Sequence, residues 1–308
     1  MTVCPACGAR VAPWRDVPSG EPGVAPLPVG RCAACGTGVT LAAPPAQEDF
    51  HESGAYAPVA PRGAALAAPL LARFDRQRLR LLARACPAPA RVVDAGAGRG
   101  RFVAAARAAG YDATGVEPTA RGVDMAASRY GVALVRAAIE DAPVPAASVD
   151  AVSLWHVLEH VDDPAATLRT LRSWLRPGGV LLLGVPNLAS WQARIGGDRW
   201  WHLDLPRHRT HFTTTGLRAL LRREGFTVEH EQHLLLEHNP FGLWQSAVSR
   251  VTPTPSWLYY ALKRVAPLRA ADALPTVAAL PLLPVAAGVE AAAGLARRGG
   301  TVAVLARI

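Results

Sequence analysis

The run Val92-Val93-Asp94-Ala95-Gly96-Ala97-Gly98-Arg99-Gly100 constrains this chain more than any other stretch. Two β-branched residues and an acid lead into three glycines at alternate positions, and Arg101-Phe102-Val103-Ala104-Ala105-Ala106 then begins a helical pattern. That order specifies a buried strand, a tight turn and a helix start. Glycine at such a turn lets the backbone approach a ligand closely, because no Cβ stands between them. The helix N-terminus beyond it offers N–H groups to a carboxylate or phosphate. A dinucleotide fingerprint would space its glycines G-x-G-x-x-G. Here the spacing is G-x-G-x-G, and Arg101 stands where the third glycine of that fingerprint would fall. The competing reading is an ordinary glycine-rich βα turn.

Strands and helices alternate from Arg91 onward, as βαβ units around a parallel sheet should. Leu70 to Ala85 has helical spacing and precedes the first strand. Tyr111 to Val116 reads as the second strand and ends at Glu117-Pro118. An acid at that point can accept hydrogen bonds from both hydroxyls of a ribose; alternatively Glu117 caps the following helix, near Thr119 and Asp124. A helix to Tyr130, a short strand near Leu134 to Ala137 and a fourth strand from Val149 to Trp155 follow. Thr167 to Leu175 is a helix stopped by Arg176-Pro177-Gly178-Gly179, and Val180 to Val185 is the fifth strand. Thr213 to Glu224 is a helix, Phe226 to Leu236 the sixth strand and Thr301 to Ile308 the seventh.

Three motifs now stand in order: the acid with G-x-G-x-G, His156-Val157-Leu158-Glu159-His160-Val161-Asp162-Asp163-Pro164, and the run L-R-P-G-G-V-L-L-L-G-V-P-N from Leu175 to Asn187. Over about residues 70–235 and the last strand the sequence resembles the class I S-adenosylmethionine (SAM) methyltransferases. The resemblance implies an α/β fold, a Rossmann-like seven-stranded, mostly parallel sheet of order 3-2-1-4-5-7-6 with an antiparallel last strand. It implies SAM as cofactor, held by Asp94, Gly96, Gly98 and Gly100, with Glu117 on the ribose and Ile139, Glu140 and Trp155 completing the set. Where related enzymes carry an aspartate for the adenine amino group this chain has Ala138, which moves that contact to the Ile139 backbone with Glu140 or Asp141.

Four of the five cysteines form two C-x-x-C-G knuckles, Cys4-Pro5-Ala6-Cys7-Gly8 and Cys32-Ala33-Ala34-Cys35-Gly36. Two knuckles supply four thiolates, the ligand set of a closed, structural, tetrahedral zinc site. A redox pair is the alternative, but neither C-x-x-C lies in a βαβ setting, and Cys86 reads as a lone core residue. The expected domains are a zinc ribbon over 1–40, a linker over 41–69, and a SAM methyltransferase domain over 70–308 with a hydrophobic insertion at about 238–297. Within the linker, Phe50-His51-Glu52-Ser53-Gly54-Ala55-Tyr56 reads as a plain loop or as a lid over the active site.

The stretch after Asn187 carries Trp191, Trp200-Trp201-His202 and Leu205-Pro206-Arg207-His208-Arg209-Thr210-His211-Phe212. Its P-R-H-x-x-H-F pattern is similar to segments of methyltransferases that act on polysaccharides and natural products. An acceptor hydroxyl is a weak nucleophile, so an imidazole that takes its proton accelerates transfer. His208, His211 and His156 are the candidate bases; the other role for the first two is to brace the loop. The tryptophans offer flat apolar faces to a sugar or aromatic acceptor. In the insertion, Ala273 to Val289 carries no charge and nears the length of a membrane span, but Pro275, Pro281 and Pro284 interrupt it. A cap over an apolar substrate, a homodimer surface and a peripheral membrane contact all fit that composition.

A chain of 308 residues, half of them hydrophobic and 19% charged, buries a substantial core. The net charge of +9 admits nucleic acid as a partner, yet the arginines are scattered and Lys263 is the only lysine, which weighs against it. Met1-Thr2-Val3-Cys4-Pro5 has neither a basic n-region nor an apolar run, so a cytoplasmic protein is expected. The expected function is in-line methyl transfer to a small-molecule acceptor, an oxygen of a sugar, a lipid-linked glycan or a natural product. An rRNA guanine methyltransferase with a zinc ribbon and a non-catalytic scaffold on the same fold are the alternatives.

Overall fold

Parallel pairing explains why the central strands read as nearly continuous apolar runs: both of their faces are covered. In the computed structural model, which describes residues 2–19, 23–42, 68–237 and 239–308, Val92, Val93, Ala95 and Val152 are all buried. The 50–56 stretch read as loop or lid lies outside the described residues.

In chain order the elements are β1 (Val11–Val17), β2 (Leu27–Cys32), β3 (Gly38–Thr40), α1 (Ala68–Ala85), β4 (Arg91–Ala95), α2 (Arg101–Ala108), β5 (Asp112–Glu117), α3 (Ala120–Tyr130), β6 (Val135–Arg136), β7 (Val149–Trp155), α4 (Pro164–Trp174), β8 (Leu175–Pro186) and α5 (Trp191–Gly196). There follow β9 (Thr210–His211), α6 (Thr214–Arg223), β10 (Thr227–Gln232), α7 (Asn239–Val248), α8 (Trp257–Leu262), α9 (Ala270–Ala279), α10 (Leu283–Leu295) and β11 (Thr301–Arg307). They fall into two compact units. One comprises Ala68–Val185, Arg218–Glu231 and Ala303–Ile308; the other comprises Met1–Ala67, Pro186–Leu217 and Gln232–Val302.

The first unit is built on a seven-stranded sheet of order β10-β11-β8-β7-β4-β5-β6. Renumbered from its own first strand, that is the order 3-2-1-4-5-7-6 read from the sequence. The pairings of β5 with β6, β4 with β5, β4 with β7 and β7 with β8 are parallel. Asn187 N donates to Gly300 O at one end of β8 and Ile308 N to Gly179 O at the other, so β11 runs antiparallel to it.

Several boundaries differ from the sequence reading, the sixth strand ending at Gln232 rather than Leu236 among them, and two of the differences have a clear physical reason. The helix after His160 starts at Pro164 rather than Thr167, because the Asp163 carboxylate accepts from Ala165 N and Ala166 N, both at 3.0 Å, and proline suits the first helical position. Strand β8 begins at Leu175, before the Arg176-Pro177-Gly178-Gly179 stop: Val149 faces Leu175 and Ala151 faces Val180, so those four residues loop out of the ladder.

The second unit carries a four-stranded sheet of order β1-β2-β3-β9. Its last strand comes from the P-R-H-x-x-H-F segment, with Gly38 opposite His211 and Val39 opposite Thr210. The N-terminal segment with the two cysteine knuckles thus falls in one compact unit with Pro186–Leu217 and Gln232–Val302. In the insertion one of the three prolines marks a break in the α-helical path, between α9 and α10. Pro275 lies inside α9, Pro281 in a 3-10 turn over Leu280–Leu282, and Pro284 in the first turn of α10, where no N–H is lost. Ala270–Leu295 is long and apolar enough to cross a membrane by length and composition, and Leu274, Leu282 and Leu295 on it are exposed. Its inner side packs on Leu243, Trp244 and Val248 of α7 through Ala286.

Candidate active site

The glycine loop between β4 and α2 does two different jobs. Gly96, at φ 71°, has no room for a side chain, since a Cβ there would sit 2.4 Å from Val157 Cγ2. Gly98, at φ 54°, also adopts the left-handed region, but a Cβ there would meet nothing within 4 Å. The loop thus packs at one glycine and opens onto space at the next. Gly100 closes it against Ala126 of α3, 2.7 Å from where its Cβ would stand.

Glu117, at the C-terminal end of β5, faces this open corner. Its Oε2 accepts from Gly98 N at 2.8 Å, and its Oε1 accepts from Thr119 N at 3.1 Å and Thr119 Oγ at 2.5 Å. The cap of α3 is Thr119, whose hydroxyl accepts from Gly122 N at 3.1 Å. A carboxylate held by two elements at an open glycine corner can accept from paired hydroxyls without reorganising. The glycine cradle therefore fits a nucleoside-bearing cofactor on two grounds, the vacant Cβ position of Gly98 and the fixed acid beside it.

Asp94 lies one turn deeper and is 3% exposed. Arg78 of α1 forms a salt bridge to it, and Arg78 Nε also donates to Ser153 Oγ at 3.0 Å. The same guanidinium lies over the Phe102 ring, 3.6 Å from its centroid, and 5.2 Å from that of Trp155. Burial pushes the Asp94 carboxyl up to about 6, against the opposing pull of Arg78. Trp155 packs where Gly184 of β8 leaves space, since a Cβ at Gly184 would stand 2.7 Å from Trp155 Cε3. Ile139 is buried, while Glu140 is exposed and accepts from Thr167 Oγ at 2.8 Å.

At the end of β7 the chain turns through His156, a non-glycine residue at φ 54°. Its backbone N donates to Gly184 O at 2.9 Å, which fixes that conformation. Strained backbone of this kind clusters at functional sites. The Nδ1 of His156 lies 3.0 Å from Oε1 of Glu159, a carboxylate only 1% exposed. A buried carboxylate accepts, so Nδ1 carries the proton and Nε2 is the basic nitrogen. This is an oriented imidazole of the kind general-base catalysis uses.

The other two candidate histidines belong to the second unit, which also carries the two cysteine knuckles. His208 Nδ1 donates to the His202 carbonyl oxygen at 2.7 Å. Thr40 Oγ donates to His208 O at 2.6 Å and lies 3.1 Å from His211 Nε2, which is therefore the donor to it. Next to them, Arg207 donates to Asp204 at 2.9 Å and to the Tyr260 hydroxyl at 3.0 Å. The four knuckle cysteines converge in the same unit, with all four Sγ atoms within 4.8 Å of one another. Sulfur separations of 3.6 Å for Cys4 and Cys35 and 3.5 Å for Cys7 and Cys32 are far too long for disulfides. Desolvation acts to raise the Cys32 thiol, but backbone N–H groups of Cys35 and Ala34 and the Cys7 thiol bring it down to about 7; burial pushes Cys4 well above its usual range. The first turn of α6 closes over this cluster: Thr213 Oγ donates to Cys35 O at 2.6 Å, and Gly216 leaves no room for a Cβ beside Thr37.

In the sheet unit the structure brings Gly96, Gly98, Gly100 and Glu117 around one corner, with Asp94 behind them. Arg78, Ser153 and Glu159 are the residues that sequence reasoning missed. Glu159 was visible within the H-x-L-E-H run. Arg78 is one of several arginines on α1, and no local signal separates it from the rest.

Comparison with known proteins adds the following. A family model described as "Methyltransferase domain" matches residues 67–231. A ubiquinone biosynthesis O-methyltransferase from Xanthomonas axonopodis pv. citri (strain 306) is 32% identical over 167 residues, 50% of this chain and 70% of that protein. A probable S-adenosylmethionine-dependent methyltransferase from Mycolicibacterium smegmatis is 35% identical over 91 residues, 30% of this chain and only 34% of that protein. Among solved structures, a SAM-dependent methyltransferase from Archaeoglobus fulgidus superposes with a TM-score of 0.50 at 17% identity, over 79% of this chain and 98% of that one, a likeness of fold alone.

Proposed function

Since the chain belongs to the methyltransferase-domain family and is a SAM-dependent methyltransferase, we propose that it methylates an oxygen of a small molecule, with His156 as the general base. The observation that carries this reading is the His156–Glu159 pair at the end of β7. A relative 32% identical is named as an O-methyltransferase, which supports oxygen as the acceptor atom. The acceptor class we favour is the hydroxyl of a sugar, a lipid-linked glycan or a natural product.

SAM, when bound, supplies an electrophilic methyl on a sulfonium and leaves as the neutral thioether. The residues assigned to hold it are Gly96, Gly98 and Gly100, with Asp94 behind the loop, Glu117 on the ribose hydroxyls, and Ile139, Glu140 and Trp155 on the remainder. His156 Nε2 takes the acceptor O–H proton as the new C–O bond forms. Glu159 keeps the proton on Nδ1 and stabilises the imidazolium that results. Alignment of the two reactants contributes the larger part of the rate. His208 and His211, each engaged by the ribbon, are assigned to bracing rather than proton transfer. The four cysteines would hold one structural zinc, with no open position for a reacting group.

The test is a panel of hydroxylated sugars and phenols with methyl-labelled SAM, the product's methyl carbon being assigned by NMR. An O-methyl product whose formation falls at least a hundredfold in His156→Gln supports the reading. An N- or C-methyl product, or unchanged turnover in that variant, overturns it.

A further inference from the structure

Four arginines and two tryptophans in the ribbon unit surround one cavity that no step of methyl transfer uses. The cavity has a volume of about 560 Å³ and is lined by Trp14 and Arg15 of β1, Arg31 of β2, Trp191 and Arg194 of α5, and Arg298, over a floor that includes Leu188 and Ala193. That volume falls within the range of small-molecule sites. Among the described residues the lining includes no carboxylate. Two acids adjoin the lining residues in sequence: Asp198 is taken by Arg250 at 2.9 Å, and Asp16, which follows Arg15 on β1, is exposed and does not line the cavity.

The guanidiniums are arranged rather than dispersed. Arg15 lies over the Trp14 ring, 3.8 Å from its centroid, and Arg31 lies 5.1 Å from the same centroid. Arg31 Nε donates to Gly36 O at 3.3 Å, and Arg298 Nη1 donates to Ala189 O at 3.3 Å. These contacts orient three of the four guanidiniums, those of Arg15, Arg31 and Arg298, and use few of the five N–H donors that each carries. Like charges gathered around one concavity repel, and an anion placed among them removes that repulsion. Arginine pairs bidentately with phosphate oxygens. Four guanidiniums offer more donors than one carboxylate can accept, which selects a ligand with several anionic oxygens. The indole of Trp191, 38% exposed at the edge, adds an apolar face for whatever the phosphate is attached to.

We propose that this cavity is a binding site for a diphosphate group, carried either by a soluble sugar diphosphate or by a lipid diphosphate. The proposal does not rest on the identity of the methyl acceptor or on His156.

Inorganic pyrophosphate is titrated into the full-length protein by calorimetry at low and moderate salt. Saturable binding of one pyrophosphate, weakening as salt rises and at least tenfold weaker in Arg194→Ala/Arg298→Ala, supports the site. The lysine variant Arg194→Lys/Arg298→Lys should recover part of that loss, and Arg223→Ala, an exposed residue at the C-terminal end of α6 that does not line the cavity, should change nothing. S-adenosylhomocysteine affinity is measured on each variant to show that the fold is kept. UDP-glucose and phosphatidylcholine vesicles doped with farnesyl diphosphate then separate the two sources of the group. Absence of saturable pyrophosphate binding, affinity unchanged in the double alanine variant, or adsorption to vesicles regardless of diphosphate content would each overturn the proposal.

Discussion

Two single-methyl substitutions, placed two residues apart, separate packing from cofactor binding in the glycine loop. Gly96→Ala puts a Cβ 2.4 Å from Val157 Cγ2 at a backbone φ of 71°; Gly98→Ala puts one into open space at φ 54°. The left-handed backbone costs a non-glycine residue about 1–2 kcal/mol at either position. Gly96→Ala adds overpacking of about 1–3 kcal/mol, for a total near 2–5 kcal/mol. Gly98→Ala should therefore lower the melting temperature by only about 2–8 °C, and Gly96→Ala by clearly more. Binding should rank the other way among folded molecules. The methyl at Gly98 occupies the space assigned to the cofactor, and displacing a ligand by one methyl at a loss of about 1.4–3 kcal/mol weakens it about ten- to a hundredfold. Differential scanning fluorimetry gives the stabilities, and calorimetry with S-adenosylhomocysteine gives the affinities. If Gly98→Ala binds the ligand within twofold of wild type, the open corner is not the cofactor seat and the assignment of this loop fails.

Other consequences can be checked on the same protein. Glu159→Gln should cut turnover by about tenfold and His156→Gln by about 10²–10⁴, both read as initial rates with methyl-labelled SAM; equal losses in the two variants would refute the assignment of His156 as the base and Glu159 as its partner. Burial raises Asp94 from 3.8 to about 6, so its native state holds a proton that the unfolded chain has released; its contribution is complete below pH 3.8, is lost as pH rises to 6, and amounts to about 3 kcal/mol. Denaturant melts from pH 4 to 7 should show that decline, and Asp94→Asn should flatten it. Glu290, buried and raised to about 7 while its Oε1 accepts from Gly300 N at 2.6 Å, acts with the same sign, so Glu290→Gln should stabilise the protein at pH 8 by about 1–3 kcal/mol in urea unfolding. One zinc per chain is expected by metal analysis, lost in Cys32→Ser with a fall in melting temperature; full metal content in that variant would refute the four-cysteine ligand set.

The strand order of the catalytic sheet was legible because its signals are local. Val92-Val93 before the glycines, Val149 to Trp155, and the run after Gly179 are each apolar on both faces, and only a strand covered on both sides tolerates that. Glu117 was legible for the same reason, as an acid closing a strand. The start of α4 was misplaced by three residues because Asp163-Pro164 was taken as the end of a motif rather than as a cap and first turn. In the insertion, Pro281 marks the 3-10 break between α9 and α10, Pro284 sits in a first turn where no hydrogen bond is lost, and Pro275 lies within α9.

What sequence could not supply were contacts between residues far apart in the chain. Thr40 meets the backbone of His208 across 168 positions, and Thr213 meets Cys35 across 178. P-R-H-x-x-H-F looks like catalytic histidines when read alone. Paired with β3, its Thr210 and His211 become an edge strand, and one nitrogen of each histidine is committed to neighbouring backbone or hydroxyl. His156 gained its case by the opposite route, because its partner is three residues away and its strained φ is set by a bond to Gly184 on the adjacent strand. A histidine whose tautomer is fixed by a buried carboxylate is prepared to take a proton. One whose hydrogen bond ties it to backbone or to a hydroxyl of another strand is held in place by that bond.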